Sequence, residues 1–327
     1  MTRVLAADIG GTKTALSLYE GERGSLRVAA VQEYESRAFS GLVPILGEFL
    51  RGERVDCAAF GVAGPVVDGV CRTTNLPWVV TLVELQHICG TQAVRLLNDL
   101  EIAALGIPAA PSHQLVWLQR APIAANAPIE LVAVGTGLGR AFLIPSNDGR
   151  SLRAFATESG HATFGPRNLI ERKLQAFVAQ RREVVSVEHV LSGPALKVLY
   201  DFVLHEGLAP PTAKLEIEVA EDPSAVIGRL GARDLDDGCA AAVALFADLL
   251  GSELGNTALR SLPRGGLFIW GGVARKLRAV LERGELLDAF LDKPPMRDLL
   301  TSIPLALIDE PELGLIGARE AALAALD

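Results

Sequence analysis

An acidic residue and two glycines stand together near the start of this 327-residue chain, where an apolar run ends. Asp8 closes the run, and Ile9, Gly10, Gly11, Thr12 and Lys13 follow it. Glycine has no Cβ, so its backbone can approach a ligand closely and turn N–H groups onto phosphate oxygens. A carboxylate at the same place could hold a hydrated Mg²⁺ ion. These residues therefore predict a phosphate-binding hairpin.

Two common phosphate loops are excluded, and one simpler explanation stays open. The chain contains no G-x-x-x-x-G-K-[ST] sequence, and the residues after Gly11 alternate like a strand instead of opening a helix. The stretch is therefore neither a P-loop nor a dinucleotide fingerprint. Taken alone, the double glycine is equally typical of an ordinary tight hairpin.

A second glycine turn favours the phosphate-binding interpretation. The segment 131–144 matches 5–18 without a gap, with Gly135, Thr136 and Gly137 at its turn. A third turn, Gly271 and Gly272, follows the apolar run 267–270. The repeat predicts two similar halves, each presenting a glycine turn, that grip a triphosphate from both sides.

The elements around these turns follow the order β-β-β-α-β in each half. Periodicity predicts helices at 42–50, 100–105 and 236–262, a helix with Pro166 in its first turn that runs to about residue 180, and a helical segment at 186–191. The segment 215–230 is ambiguous. Gly106 to Pro111 is the best linker candidate. We expect a small α/β domain from residues 1–109 plus about 303–327, and a large α/β domain from residues 110–302.

Composition excludes several classes of protein. The net charge is −8 and no stretch is rich in Lys or Arg, which argues against a nucleic-acid partner. The N-terminal apolar run is too short for a signal sequence, and Asp248 interrupts the most apolar later run. The four cysteines form no C-x-x-C pair, which predicts buried, reduced thiols. We expect a cytoplasmic protein with no membrane partner.

With these residues in place, the chain resembles the bacterial glucokinase family over essentially its whole length. The resemblance rests on short motifs in a fixed order: Asp8-Ile9-Gly10-Gly11-Thr12, Thr74-Asn75 with Trp78, Asn98-Asp99, Gly135-Thr136-Gly137-Leu138-Gly139, Glu158-Ser159-Gly160-His161, Glu188 before Leu191-Ser192-Gly193-Pro194, and Gly271-Gly272. It implies a two-domain actin-like/hexokinase (ribonuclease H-like) α/β fold, with duplicated βββαβα halves and a cleft between them.

The resemblance also implies an activity: transfer of the γ-phosphoryl group of ATP, with Mg²⁺, to the 6-hydroxyl of glucose. Asp99 would be the catalytic base. Sugar contacts would fall on Asn75, Asn98, Asp99, Gly137, Glu158, His161 and Glu188. Nucleotide contacts would fall on residues 8–13, on Gly135, Thr136 and Gly137, and on Gly271 and Gly272.

The chemistry of the reaction requires a similar set of groups. A sugar hydroxyl is a poor nucleophile, so a carboxylate must accept its proton as the phosphoryl group arrives. Each residue also has a structural explanation: Asn98 and Asp99 suit a helix N-cap, Glu158 suits a solvated loop, His161 suits a hydrogen-bonded structural role, and Glu188 suits a first helical turn.

The chain departs from the family at several positions. Lys13 stands where members often carry Asn, and Thr157 and Ser159 replace glycines that commonly flank the acid at 158. The related repressor/kinase family places a Cys-rich cluster after the sugar-binding histidine; no cysteine is near His161, so we expect no zinc. A kinase for mannose, fructose or an amino sugar, a different phosphoryl donor, a non-catalytic sugar sensor and a homodimer all stay open.

Overall fold

The computed structural model describes residues 1–146, 151–210 and 214–326. Its first half consists of β1 (Thr2–Ile9), β2 (Lys13–Gly21), β3 (Arg27–Glu35), α1 (Leu42–Leu50), β4 (Cys57–Val62), β5 (Val66–Val67), β6 (Val70–Arg72), β7 (Val79–Thr81), α2 (Leu82–Cys89), β8 (Val94–Asn98) and α3 (Asp99–Gly106).

The second half is longer and carries most of the helices. It consists of β9 (Leu115–Gln119), β10 (Ile129–Val134), β11 (Leu138–Pro145), β12 (Leu152–Thr157), α4 (Leu169–Ala179), α5 (Ala195–His205), α6 (Lys214–Val219), α7 (Pro223–Ala232), α8 (Asp237–Ser261), β13 (Gly266–Trp270), α9 (Gly272–Lys276), α10 (Arg278–Leu281), α11 (Glu285–Leu291), α12 (Arg297–Thr301), β14 (Leu305–Ile308) and α13 (Leu313–Leu323).

Two sheets with corresponding strand orders form the framework. The first has the order β3-β2-β1-β4-β8, and the second has the order β12-β11-β10-β13-β14-β9. In each, three consecutive strands pair antiparallel and the next two pair parallel. Strand β9 adds to the second sheet alone. This repetition confirms the predicted fold class with duplicated halves.

The gap-free match between the two glycine hairpins is wrong. Four residues separate the paired Ile9 and Thr14, whereas three separate the paired Val134 and Leu138. A match without a gap would need loops of equal length. The outgoing strands are therefore offset from the predicted alignment, and since side chains alternate along a strand, the offset decides which face each residue occupies.

Helix α3 lies between the two sheets and packs against α13. Gly106 allows the close approach, because a methyl group there would lie 2.5 Å from the carbonyl oxygen of Leu313. Ala103, Ile107 and Leu313 join Leu131 and Phe268 of the second sheet in one buried cluster. The first residues of α3 are consequently held at the junction between the halves.

The connection between β14 and α13 crosses from one sheet to the other. Strand β14 pairs with β13 and β9, although the predicted division placed residues from about 303 with the first domain. Helix α13 packs on β1 and β4 of the first sheet. The division into domains stays a prediction, with this crossing now located at 309–312.

Two helix predictions need correction, and one ambiguous segment is resolved. Helix α4 does not include Pro166, because the side chain of Asn168 accepts the N–H of Glu171 at 2.9 Å and starts the helix at Leu169. The segment 186–191 holds only a short 3-10 turn, Val187–His189. The ambiguous segment divides into α6 and α7, and Asp222 caps the second of these.

Helix α8 is the core helix of the second half. It is long and apolar enough to cross a membrane by composition, but it is mostly buried and packs against α5, α7 and α11. All four cysteines are buried and unpaired, as predicted. Within the described ranges, no group of three or more His, Cys, Asp or Glu side chains is arranged to hold a metal ion. The absence of zinc stays a prediction.

Candidate active site

The start of α3 brings the proposed base and its neighbour to the end of β8. The side-chain oxygen of Asn98 accepts the N–H of Leu100 at 2.9 Å, so Asn98 is the N-cap of the helix. Its amide nitrogen donates to the carbonyl of Gly64 at 3.1 Å. Asp99 follows with its Oδ1 also 2.9 Å from the Leu100 nitrogen. Capping therefore orients Asn98 and holds the Asp99 carboxylate beside it at the start of the helix.

Two carboxyl groups in this region have pKa values far above the ordinary 3.8 of Asp. Burial raises the pKa of Asp99 to about 6 against the lowering effect of nearby hydrogen bonds, and the charge of Glu158 raises it further. Burial also raises the pKa of Asp8 to about 6, and the charge of Asp99 adds to the effect. Asp8, Asp99 and Glu158 therefore interact electrostatically, across elements from both halves.

The first glycine turn is closed by its own backbone and covered by Asn75. The N–H of Gly10 donates to the carbonyl of Lys13 at 2.9 Å, and the hydroxyl of Ser36 donates to the carbonyl of Gly10 at 2.9 Å. A methyl group on Gly11 would lie 2.6 Å from Cβ of Asn75. Glycine is needed at this position because Asn75, from the loop before β7, packs directly on the turn.

Lys13 is placed differently from the other residues of the turn. Its ammonium group forms an ion pair with Glu33 on β3, and both side chains are about half exposed. Contact between Lys13 and a phosphate would require this pair to open.

The second glycine turn is joined to Glu188. The turn closes with the N–H of Gly135 donating to the carbonyl of Gly137 at 2.9 Å. Oε2 of Glu188 accepts the N–H of Leu138 at 2.9 Å. A methyl group on Gly137 would lie 2.5 Å from the same oxygen. The missing side chain at 137 therefore makes room for the carboxylate of Glu188.

Glu158 precedes a short 3-10 turn, Ser159–His161, that packs on the same hairpin and ends with His161. The N–H of His161 donates to the carbonyl of Glu158 at 3.0 Å, and Gly160 between them packs directly on the backbone of Leu138. The N–H of Val187 donates to the carbonyl of Ala162 at 2.9 Å. This bond places the segment with His161 beside the segment with Glu188. Both Glu158 and His161 are exposed.

Helix α3 contacts the second glycine hairpin through the side chain of Leu100. Gly139 has no side chain where the Leu100 side chain packs, at the start of β11. Oε1 of Glu101 accepts the N–H of Ala156 on β12 at 3.4 Å. The first turn of α3 thus contacts the second hairpin, while the charge of Asp99 acts on Asp8 of the first. Asp99 lies between the two glycine hairpins.

A cavity of about 830 Å³ opens beside the second glycine turn. Gly193 donates its N–H to the carbonyl of Gly135 at 2.7 Å, and Gly271, with a φ of 111°, packs on Val134. Three glycine segments therefore meet here. The cavity is lined by Gly135, Thr136, Gly193, Pro194, Leu196, Asp222, Ser224, Ala225, Gly228, Arg229, Ala232, Arg233, Gly272, Val273, Lys276 and Leu277.

Sequence reasoning missed one wall of this cavity. Helix α7 falls in the segment that was ambiguous from periodicity, yet it contributes Ala225, Gly228 and Ala232 to the lining. These three small residues recur at helical spacing, which is a signal that could have indicated a helix face kept open.

A smaller cavity of about 410 Å³ adjoins Asp8. Asp8 has no recorded hydrogen bond or ion pair among the described residues, and a methyl group on Gly314 would lie 2.6 Å from its Oδ2. Lys13, Glu33, Pro311 and Glu312 also line this space. A half-buried carboxylate with an elevated pKa fits a hydrated cation, because positive charge nearby would favour its ionised form.

The known proteins that are similar to this chain come from one family. The glucokinase family model matches residues 5–325. The chain is 36% identical to the glucokinase of Trichormus variabilis over 337 residues, covering 97% of this chain and 98% of that protein. It is 34% identical to the glucokinase of a Synechocystis species, covering 96% of each. The chain belongs to the glucokinase family. The protein is therefore a sugar kinase.

Solved structures of the family have the same fold. A glucokinase from an Antarctic psychrotroph has a TM-score of 0.86 at 25% identity, with 99% of both chains covered. A glucokinase from Balamuthia mandrillaris, solved in complex with glucose, has a TM-score of 0.78 at 21% identity, with 98% of this chain and 94% of that chain covered. The second likeness concerns the fold alone.

Proposed function

We propose that this protein transfers the γ-phosphoryl group of ATP to the 6-hydroxyl of glucose, giving glucose 6-phosphate and ADP. The observation that carries the proposal is the position of Asp99 between the two glycine hairpins, with a pKa raised to about 6 by burial. An aspartate with a pKa near neutrality is a better proton acceptor than one in water, yet it is ionised at pH 7.

In the proposed reaction, Asp99 accepts the proton of the sugar hydroxyl. At the same time the hydroxyl oxygen of the sugar forms a bond to the γ-phosphorus. The bond between that phosphorus and the β–γ bridging oxygen breaks, and ADP leaves with the bridging oxygen. No covalent enzyme intermediate is required, so catalysis depends on positioning and electrostatics.

We assign recognition of the sugar to the polar groups gathered around α3 and the second hairpin. Carboxylates accept from ring hydroxyls, and the amides and the imidazole can both donate and accept. Their backbone anchors, such as the Leu138 N–H for Glu188, fix them before the sugar arrives. The assigned set is Asn75, Asn98, Asp99, Gly137, Glu158, His161 and Glu188.

The 830 Å³ cavity supports a nucleoside triphosphate as the donor. Its volume lies within the range of small-molecule pockets, and small side chains of α7 keep it open. A linear polyphosphate has no group that would need such a space. We place the nucleoside there and the phosphates along Gly135–Gly137 and residues 8–13.

Mg²⁺ supplies charge neutralisation for the triphosphate when it is bound. Asp8 is the residue that would hold it, through water, because its carboxylate adjoins the 410 Å³ cavity and makes no hydrogen bond or ion pair within the described ranges. In the proposed site, Asp8 also keeps the cation at the end of β1, close to the first glycine turn.

A panel of sugars and donors tests the proposal. Glucose, mannose, fructose and glucosamine are each assayed with ATP, ADP and polyphosphate, with and without Mg²⁺, and the product is identified by mass spectrometry. We expect glucose with Mg-ATP to give the highest kcat/KM. Preference for another hexose would contradict glucose as the substrate. Turnover with polyphosphate alone would contradict ATP as the donor. Binding without any turnover would favour a sugar sensor.

A filled cavity tests the nucleoside site separately. A methyl group on Gly228 would lie 3.6 Å from both Leu196 and Leu277, so alanine fits there, whereas leucine would occupy the space between them. We expect Gly228→Leu to raise KM for ATP at least about tenfold with an unchanged KM for glucose, and Gly228→Ala to differ little from the parent protein. We also propose that the enzyme works in the cytoplasm.

A further inference from the structure

Two segments carry the chain between the sheets, and they are joined to each other. The first runs from α3 through residues 107–114, and the second is the crossing at 309–312. The N–H of Asp309 donates to the carbonyl of Gln114 at 2.8 Å. A displacement of one of these segments will therefore move the other.

The side chain of Asp309 ties this junction to the third glycine turn. Its Oδ1 accepts from Nε of Arg275 at 3.0 Å, and its Oδ2 accepts from a terminal nitrogen of Arg278 at 3.1 Å. Hydrogen bonds from these arginines hold the pKa of Asp309 below its ordinary value. Arg275 belongs to α9, the short helix that starts at Gly272.

A second hydrogen bond links the crossing at 309–312 to the third glycine turn. Nε1 of Trp270 donates to the carbonyl of Glu310 at 2.7 Å. Trp270 is the last residue of β13, immediately before Gly271 and Gly272. The crossing is thus held on both sides of the glycine turn, by Trp270 before it and by Arg275 after it.

Beyond the crossing, the chain leads directly to Asp8. Pro311 and Glu312 line the 410 Å³ cavity with Asp8, and Gly314 lies against the Asp8 carboxylate in the first turn of α13. Four residues therefore separate the end held by Asp309 from the residue that seats Asp8. The third glycine turn and the proposed cation ligand are connected through one short segment.

We propose that Asp309 is a positioning residue that couples the nucleotide turn at Gly271–Gly272 to the placement of Asp8. The inference rests on the proposed function, because it assigns the bound nucleotide to that turn. Asp309 touches no reacting atom. When the nucleotide fixes α9, the paired arginines fix the crossing, and the first turn of α13 then holds the Asp8 carboxylate in place.

The test is Asp309→Asn, which keeps the size of the side chain and removes its charge. We expect kcat/KM for ATP to fall by between about tenfold and a hundredfold, as misplacement far from the reacting atoms can cause, with KM for ATP raised and kcat lowered. KM and Kd for glucose should stay within twofold of the parent. Asp309→Glu, which retains the charge, should recover part of the loss.

Fluorescence provides a readout that does not depend on turnover. Because Trp270 is bonded to the crossing, addition of a non-hydrolysable ATP analogue with Mg²⁺ should change tryptophan emission in the parent protein and should change it less in Asp309→Asn. The change must disappear in Trp270→Phe, since Trp78 and Trp117 are also present.

A matched control is available at Glu206. This carboxylate also has a lowered pKa and pairs with Lys173 at 2.6 Å, but it lines neither cavity. Glu206→Gln should leave all kinetic constants within twofold. If Asp309→Asn folds and behaves like Glu206→Gln, or loses activity only in proportion to unfolded protein, the inference is wrong. If Asp309→Asn does not fold, Arg275→Gln provides the same test. Inactivity of the parent protein would instead contradict the proposed function.

Discussion

The negative charge of Asp99, at the first position of α3, raises the pKa of Asp8 at the end of β1. These residues are 91 positions apart in the sequence and belong to different elements, yet their carboxyl groups interact at the junction of the two halves. Two half-buried carboxyl groups that repel each other are unfavourable for stability, and such arrangements are typical of functional sites.

The first prediction concerns the stability of the unliganded protein. The pKa of Asp8 is about 6 in the folded state and near 3.8 when unfolded, so the folded state binds the proton more tightly. The contribution of Asp8 to stability is therefore fully present below about pH 4 and is lost as pH rises through about 6. Asp8→Asn should be more stable than the parent at pH 8, with an advantage that shrinks as pH is lowered through 6. Urea denaturation at several pH values measures this.

The other carboxyl groups are common to both proteins, so most of their contributions cancel in the difference. An Asp8→Asn protein that is less stable at pH 8, or a difference that does not vary with pH, would contradict the assigned pKa.

The second prediction concerns the pH dependence of catalysis. Asp99 can accept a proton only when it is ionised, and its pKa is raised to about 6. We expect kcat/KM for glucose to rise with pH up to about 6 and then level off. Asp8 titrates in the same range, so the apparent values belong to the pair. Direct detection of the sugar phosphate avoids the pH dependence of coupling enzymes. A profile that stays flat down to pH 5 would exclude an acceptor with this pKa.

Much of the framework was predictable from local sequence signals. The predicted bounds of helix 42–50 are confirmed, because apolar spacing along a helix depends on neighbouring residues. The start of α4 was missed because Asn168 competes with Pro166 as a start signal. The offset between the hairpins was missed because loop length is set by strand pairing across the turn, which composition does not encode.

In the candidate site, too, features with a local sequence signal were predictable and features that depend on distant contacts were not. The double glycine drew attention to Asp8, and the family resemblance implied Asp99. The effect of Asp99 on the pKa of Asp8 depends on how α3 packs between the sheets. The pairing of Lys13 with Glu33 depends on a third strand, and the α7 wall of the 830 Å³ cavity depends on packing against α8. Contacts between distant elements carry no local signal in a single sequence.

The third prediction tests the fit between Gly137 and Glu188. In Gly137→Ala the new methyl group would lie 2.5 Å from the Glu188 carboxylate, so that side chain must move. We expect KM for glucose to rise roughly tenfold, about the cost of one lost charged hydrogen bond, with a smaller effect on KM for ATP. Steady-state kinetics with each substrate varied measures the two constants.

Gly165→Ala is the control, because no atom lies within 4 Å of a methyl group at that position. It should match the parent in both constants. Equal KM values for glucose in Gly137→Ala and Gly165→Ala would remove Glu188 from the sugar site.

The central claim is that Asp99 takes the proton from the sugar hydroxyl, and Asp99→Asn tests it most directly. The fold should survive, because Asn98 retains its capping bond to Leu100 and a buried charge is removed. With saturating glucose and Mg-ATP, the account predicts a fall in turnover of about 10² to 10⁴, while calorimetry shows glucose still bound. Turnover equal to that of the parent protein would contradict it.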